Sequence, residues 1–166
     1  MTHTDPYFLS VCANTDRELK KVLQEEGLGK ILYVNSNCIL FSFQGEFPWY
    51  MKYIPPLQNR NSCLKIFQKG FQRQKEVQDI PGVQKIRSSN FYKGVSGLFG
   101  QFLYLPGETL EEQKKKLEPE IIFSAIQQGE IILTKIHDKE ILHRDIKPAN
   151  LIYNNQKLSI IDFGIA

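Results

Sequence analysis

The sequence predicts an α+β fold in which antiparallel strands, interrupted by a single helix, lead into a segment with a long buried helix. Two observations carry this expectation. Five short runs rich in β-branched and aromatic residues lie between residues 31 and 105, separated by Asn, Gly and Pro. Beyond Leu110 the pattern changes to apolar residues recurring at three- and four-residue intervals, the period of one helix face.

Taken in order, Thr15 and Glu18 form a capping-box pattern ahead of Leu19, Val22 and Leu23, and Gly27 can close the element, so a helix over 16–26 is expected. Residues 31–34, 38–43 and 49–54 read as an antiparallel meander whose breaks are Asn35-Ser36-Asn37 and Gln44-Gly45-Glu46. Leu64, Phe67 and Phe71 mark a helix over 62–77, with Gly70 its weak point. Two further strands are expected over 83–86 and 98–105, the second ended by Pro106-Gly107. Ile122, Ala125, Ile126, Gly129, Ile132, Leu133 and Ile136 predict a long helix over 119–137. Residues 151–153 and 158–161 then form a hairpin around Asn154-Asn155.

Composition narrows the function classes. With 42% hydrophobic and 23% charged residues the chain lies in the ordinary globular range. The net charge of +3 comes from 21 basic and 18 acidic residues spread along the chain, and the only dense basic cluster, Lys114-Lys115-Lys116, is too small to argue for nucleic acid. Cys12, Cys38 and Cys63 form no CxxC pair and have no histidine at ligand spacing, which argues against a zinc site or a disulfide framework and fits a reducing cytoplasm. No stretch approaches the roughly 18 apolar residues of a membrane span, so neither membrane insertion nor secretion is expected.

The chemistry is carried by His143-Arg144-Asp145-Ile146-Lys147-Pro148-Ala149-Asn150, followed twelve residues after Asn150 by Asp162-Phe163-Gly164. These residues resemble the catalytic loop and the magnesium-binding motif of protein kinases. The resemblance covers roughly residues 30–166 and is most specific at the C-terminal end. It implies a protein-kinase-like α+β fold: a five-stranded antiparallel N-lobe with one helix over 30–102, a hinge and the start of a helical C-lobe over 103–166, and an N-terminal extension over 1–29. It also implies ATP and Mg2+ as cofactors and a protein hydroxyl as acceptor. Phosphoryl transfer depends on positioning and charge neutralisation, so one carboxylate orients the attacking hydroxyl while other oxygens hold magnesium against the phosphates. On the resemblance, Asp145 takes the first role, and Asn150 and Asp162 are the metal ligands. Lys147 resembles the lysine with which serine/threonine kinases stabilise the transferred phosphate.

Further positions follow from the same resemblance. Lys52, within the third strand, resembles the phosphate-binding lysine. Its usual partner is a glutamate on the following helix. Residues 53–75 contain no acid, which makes Glu76 the first candidate, whereas aligning Pro81-Gly82-Val83 with the usual loop puts Gly70 at that position. Gly27-Leu28-Gly29 resembles half of the glycine-rich loop but precedes the first strand, and the hairpin at the usual place reads Asn35-Ser36-Asn37. Leu103, Tyr104 and Leu105 resemble the hinge that meets adenine. The segment that follows the magnesium motif in a kinase would lie beyond Ala166. A partner chain or self-association is therefore expected to cover the apolar face of helix 119–137, taken as Ile122, Ile126, Leu133 and Ile136. The irregular glycine loop and the doubtful glutamate leave a nucleotide-binding pseudokinase as one alternative, and a small-molecule kinase as another.

Overall fold

The computed structural model describes residues 30–34, 38–43, 46, 48–54, 61–87, 92–93 and 98–164. The expected helix over 16–26, the Gly27-Leu28-Gly29 stretch and the hairpin Asn35-Ser36-Asn37 lie outside the described residues. The chain divides into two compact units, Met1–Lys65 with Ile86–Tyr104, and Ile66–Lys85 with Leu105–Ala166.

The first unit is built on an antiparallel sheet of β1 (Lys30–Val34), β2 (Ile39–Phe43), β3 (Trp49–Ile54), β4 (Tyr92–Lys93) and β5 (Leu98–Leu103), in the order β1-β2-β3-β5-β4. The period-2 alternation of a half-buried strand is plain in β3, where Trp49, Met51 and Tyr53 are buried while Tyr50 and Lys52 face the other way and are half-buried. Phe43 stacks on Trp49 with ring centroids 4.0 Å apart, and the Arg87 guanidinium lies 4.2 Å from the Trp49 ring. Cys38 is buried.

The expected strand over 83–86 does not form a ladder. Val83 and Ile86 make only single bridges, to Ile160 and Phe102 respectively, and the short β4 pairs with β5 instead. The cause lies in where the backbone groups of this segment go: Gln84 N–H donates to Ile160 O, Gln84 O accepts from the side chain of Gln74, and Arg87 N–H donates to Gln101 O. No single neighbouring strand receives them.

The second unit takes α1 (Asn61–Val77) from Ile66 onward, a short β6 (Glu108–Thr109), α2 (Leu110–Gln113), α3 (Pro119–His137), a 3-10 turn (Pro148–Asn150) and the hairpin of β7 (Leu151–Asn154) and β8 (Lys157–Ile160). Phe67, Phe71, Gln74 and Val77 are the buried face of α1, while Gln68, Lys69, Gln72 and Glu76 are exposed. Thr109 and Glu112 form a reciprocal capping box that starts α2. In α3 the expected apolar face proves to be two faces. Ala125, Ile132 and Ile136 are buried against the core that includes Val77, Leu158 and Ile160. Ile122 and Ile126, with Leu133, lie about 80° around the helix and line an apolar groove of about 690 Å³ with Leu110, Ile146 and Pro148. Ile136 is 0% exposed and so does not belong to the open face, whereas Ile126 is 63% exposed.

The hairpin turn is displaced by one residue from the expected pair. Asn155 and Gln156 take the positive dihedrals (φ 47° and 61°), and Asn154 pairs with Lys157. Register is decided by packing, because Leu158 and Ile160 must face the core together with their partners Tyr153 and Leu151. Gln128 of α3 secures the turn, its Oε1 accepting from Leu158 N–H and its Nε2 donating to Gln156 O.

Two glycines of this unit predict opposite outcomes. Gly82 has φ 92°, and a Cβ there would fall 2.3 Å from Ile132 Cδ1, so Gly82→Ala is expected to lower stability by about 1–3 kcal/mol. Gly129 lies within α3, where a Cβ would meet Leu158 at an ordinary 3.4 Å, so Gly129→Ala should raise stability by about 0.5–1 kcal/mol. Urea unfolding of both variants checks the pair of signs.

Candidate active site

The loop over 141–150 and the segment over 161–164 are joined through one residue, Ile161. Its N–H donates to Asn150 O (3.0 Å), and its carbonyl accepts from His143 Nε2 (3.0 Å). With both backbone groups held, the next residue, Asp162, is brought beside the end of the loop. His143 is 1% exposed and meets the Phe163 ring edge-on, centroids 4.5 Å apart. Its Nδ1 accepts from Asp145 N–H at 3.3 Å, so one ring carries out both contacts only as the neutral tautomer protonated at Nε2. Burial, the largest influence, holds the imidazole below its ordinary value against the opposing pull of Ile161 O, Asp162 and Asp145.

Asp145 is ordered by three hydrogen bonds from two donors. Lys147 Nζ lies 2.6 Å from Oδ2, and Asn150 Nδ2 donates both to Oδ2 and to the Asp145 carbonyl at 2.9 Å. The Lys147 hydrogen bond is the main reason that the Asp145 carboxyl is held below the usual carboxylate range. Oδ1 has no hydrogen-bond partner among the described residues and can accept from a hydroxyl. Such a carboxylate is a weak base, suited to orienting a nucleophile more than to stripping its proton.

Local sequence explains the placement of Asn150. Pro148 opens the 3-10 turn with its dihedral already fixed, and Asn150 N–H closes it on Lys147 O at 2.8 Å. Because Asn150 Nδ2 is committed to Asp145, its oxygen is the end available to a cation. Asp162 holds φ 63°, and its Oδ1 accepts from Gly164 N–H at 3.2 Å. Arg144, exposed, has φ 65°. Non-glycine residues in this region each cost about 1–2 kcal/mol, so the site is bracketed by strained backbone held in place by its hydrogen bonds.

The described residues contain no cluster of three or more His, Cys, Asp and Glu side chains able to hold a metal alone. That donor set nevertheless suits magnesium, which takes one or two protein oxygens and completes its shell with water and phosphate. Asn150 and Asp162 offer hard oxygens of this kind.

The remaining predicted site residues belong to other elements. Lys52 is half-buried on β3, the middle strand of its sheet, opposite Leu40 on one side and Gly100 on the other. Gly100 supplies no side chain to crowd it. Leu103 and Tyr104 end the first unit and Leu105 begins the second, all three half-buried. Tyr104 N–H donates to Pro48 O, and its ring tilts against Tyr50. Glu76 lies on the exposed side of α1, its carboxylate accepting from Gln72 Nε2 and Arg73 Nη1 and its backbone carbonyl from Lys139 Nζ. Ile161 was not singled out by the sequence, since a residue that acts through both of its backbone groups leaves no side-chain signature.

This loop sets Asp145, Lys147 and Asn150 in mutual contact beside Asp162, with the buried His143 behind them. Residues 84–166 match the protein kinase domain family, and the chain belongs to that family. Over 161 residues it is 27% identical to the probable serine/threonine-protein kinase YbdM of Bacillus subtilis, covering 94% of this chain and 59% of that protein. It is 32% identical over 83 residues to Aurora kinase C of Mus musculus, covering 48% of this chain and 30% of that protein. Over 104 residues it is 30% identical to the dual specificity protein kinase zak2 of Dictyostelium discoideum, covering 61% of this chain and 16% of that protein. The chain thus spans between 16% and 59% of the length of these relatives.

The lowered His143 value fixes the sign of a pH effect. The folded chain binds a proton on this ring less readily than the unfolded chain, so the contribution is fully present above about pH 6.5 and is lost as pH falls through the depressed folded value. The melting temperature should fall on going from about pH 7.5 to about 5.5, and His143→Gln should lose most of that slope. Asp145, shifted downward by Lys147, titrates below this window.

Proposed function

We propose that this chain is the nucleotide-binding and catalytic-loop portion of a Ser/Thr protein kinase, acting on a protein hydroxyl with ATP and Mg2+. The observation that carries the reading is the joined loop, with Asp145, Lys147 and Asn150 hydrogen-bonded to one another and Asp162 tied beside them through Ile161. In this reading Asp145 Oδ1 orients the acceptor hydroxyl and Lys147 neutralises charge on the transferred phosphoryl group. Asn150 and Asp162 hold the cation, which supplies charge neutralisation at the phosphates. Lys147 supports Ser/Thr over Tyr as acceptor, as does the name of the Bacillus subtilis relative.

Lys52 is proposed to bind phosphate, and Leu103, Tyr104 and Leu105 to form the hinge, with the lobes divided at residues 102 and 103 and an extension over 1–29. The proposal includes cytoplasmic residence; no helix among the described residues is long and apolar enough to cross a membrane. It also includes a cover for the groove around Ile122 and Ile126, supplied by further kinase-lobe chain from the same polypeptide or from a second one. Exposed apolar surface on this scale favours association.

A pseudokinase is the second reading, and one observation favours it: the carboxylate of Glu76 is engaged by Gln72 and Arg73 on the exposed side of α1. The two readings separate on paired variants. Asp145→Asn should lower phosphoryl transfer by about 10²–10⁴-fold while nucleotide affinity changes little, and Asp162→Asn should weaken the Mg2+-dependent part of nucleotide binding. Transfer assays on a generic Ser/Thr substrate and melting curves with ATP, with and without Mg2+, measure both. Binding without transfer in the wild type supports the pseudokinase; equal transfer by Asp145→Asn and wild type removes Asp145 from its role.

A further inference from the structure

We propose that Gly70 is a positioning residue for Asp162, acting through the peptide plane between Phe163 and Gly164; this rests on the reading of Asp162 as a cation ligand. A glycine in the middle of a helix costs up to about 1 kcal/mol relative to alanine, so its place on the buried face of α1 needs a reason. The reason is contact. A Cβ at Gly70 would lie 2.0 Å from Phe163 O, 2.9 Å from Phe163 C and 3.0 Å from Gly164 C. All three atoms are backbone, so no rotamer change can make room.

The obstructed group also donates to Asp162. The Phe163 carbonyl and the Gly164 N–H belong to one rigid amide plane. Its oxygen abuts Gly70, and its N–H donates to Asp162 Oδ1 at 3.2 Å. Displacing the oxygen therefore rotates the donor that fixes the carboxylate. Neither side can yield cheaply. Phe163 is 1% exposed and packed on His143. The helix is braced one turn on by Gln74, 2% exposed, whose Nε2 donates to Gln84 O at 2.9 Å, and Gln84 N–H is in turn bonded to Ile160 O. Gly70 thus sets the distance between α1 and the metal-binding segment at the one point where only a hydrogen fits. The same contact excludes a carboxylate side chain from this helix position without rearrangement of the segment.

The test uses the whole chain with ¹⁵N-glycine labelling, in wild type, Gly70→Ala and the exposed control Lys69→Ala. The Gly164 amide resonance should shift and exchange faster in Gly70→Ala and stay unchanged in Lys69→Ala. With a non-hydrolysable ATP analogue, the apparent Mg2+ affinity of Gly70→Ala should fall about 10–100-fold, the range seen when a partner that orients a metal ligand is lost. Analogue affinity in EDTA should stay the same, and Gly70→Ala should add no further Mg2+ defect to Asp162→Asn. A glycine that merely serves stability would weaken binding alike with and without Mg2+. An unmoved Gly164 amide overturns the proposal, as does an undiminished Mg2+ affinity in a variant whose wild type binds. If the wild type binds no nucleotide, the kinase reading fails, while the Gly164 amide still decides the role of Gly70. Should Gly70→Ala not fold, Gln74→Met loosens the brace without adding a Cβ and is read by the same amide, whose constancy there also overturns the proposal.

Discussion

The second unit depends on one residue whose side chain does nothing distinctive. Ile161 donates its N–H to Asn150 and receives His143 at its carbonyl, so both ends of a loop otherwise free to wander are fixed to the segment that carries Asp162. These two hydrogen bonds, one between backbones and one from the His143 ring, would each contribute only about 1 kcal/mol in net stability. Their effect here is positional, since they act on a residue with strained dihedrals on the following position and a buried aromatic beyond it. The neutral state of His143, enforced by its burial, is what allows one ring to serve Ile161 and Asp145 together.

The elements most legible in the sequence are those with strong periodicity. Helix α3 was expected over 119–137 and spans Pro119–His137, and the strand expected over 49–54 spans Trp49–Ile54. Less was legible where packing overrides local pattern. Apolar spacing alone could not separate Ile136 from Ile126, because both lie within one broad stripe and only the docking of β8 decides which side is covered. The hairpin turn shifted by one residue for the same kind of reason, Leu158 and Ile160 outweighing the turn preference of Asn154. The run Val83 to Ile86 has strand composition, but its hydrogen bonds are divided among partners that no local reading can foresee. A signal at Thr109 and Glu112 was present in the sequence as a capping box and marks α2.

Within the candidate site, the side chains of the loop were legible because the family's motif constrains their types and spacing, and the geometry brings Asp145, Lys147 and Asn150 into mutual contact. What the residues could not disclose was the scaffolding: the anchoring of Ile161, and the approach of α1 to the Phe163 carbonyl, where the informative feature is a missing side chain. Glycine in a helix reads from sequence as a weakness. In the structure it marks a place where two backbones pass too closely for a Cβ.

The hydrogen bonds that build the loop also bear on how it comes to exist. Asn150 reaches Asp145 five residues away, Ile161 reaches Asn150 eleven residues away, and His143 reaches Ile161 eighteen residues away, all closed by a hairpin with a two-residue turn. Loop closure over such short separations loses little chain entropy. The five-stranded sheet, by contrast, must join Trp49 to Leu103. Short separations of this kind favour rapid assembly, and the loop over 141–150 and its hairpin are built almost wholly from them.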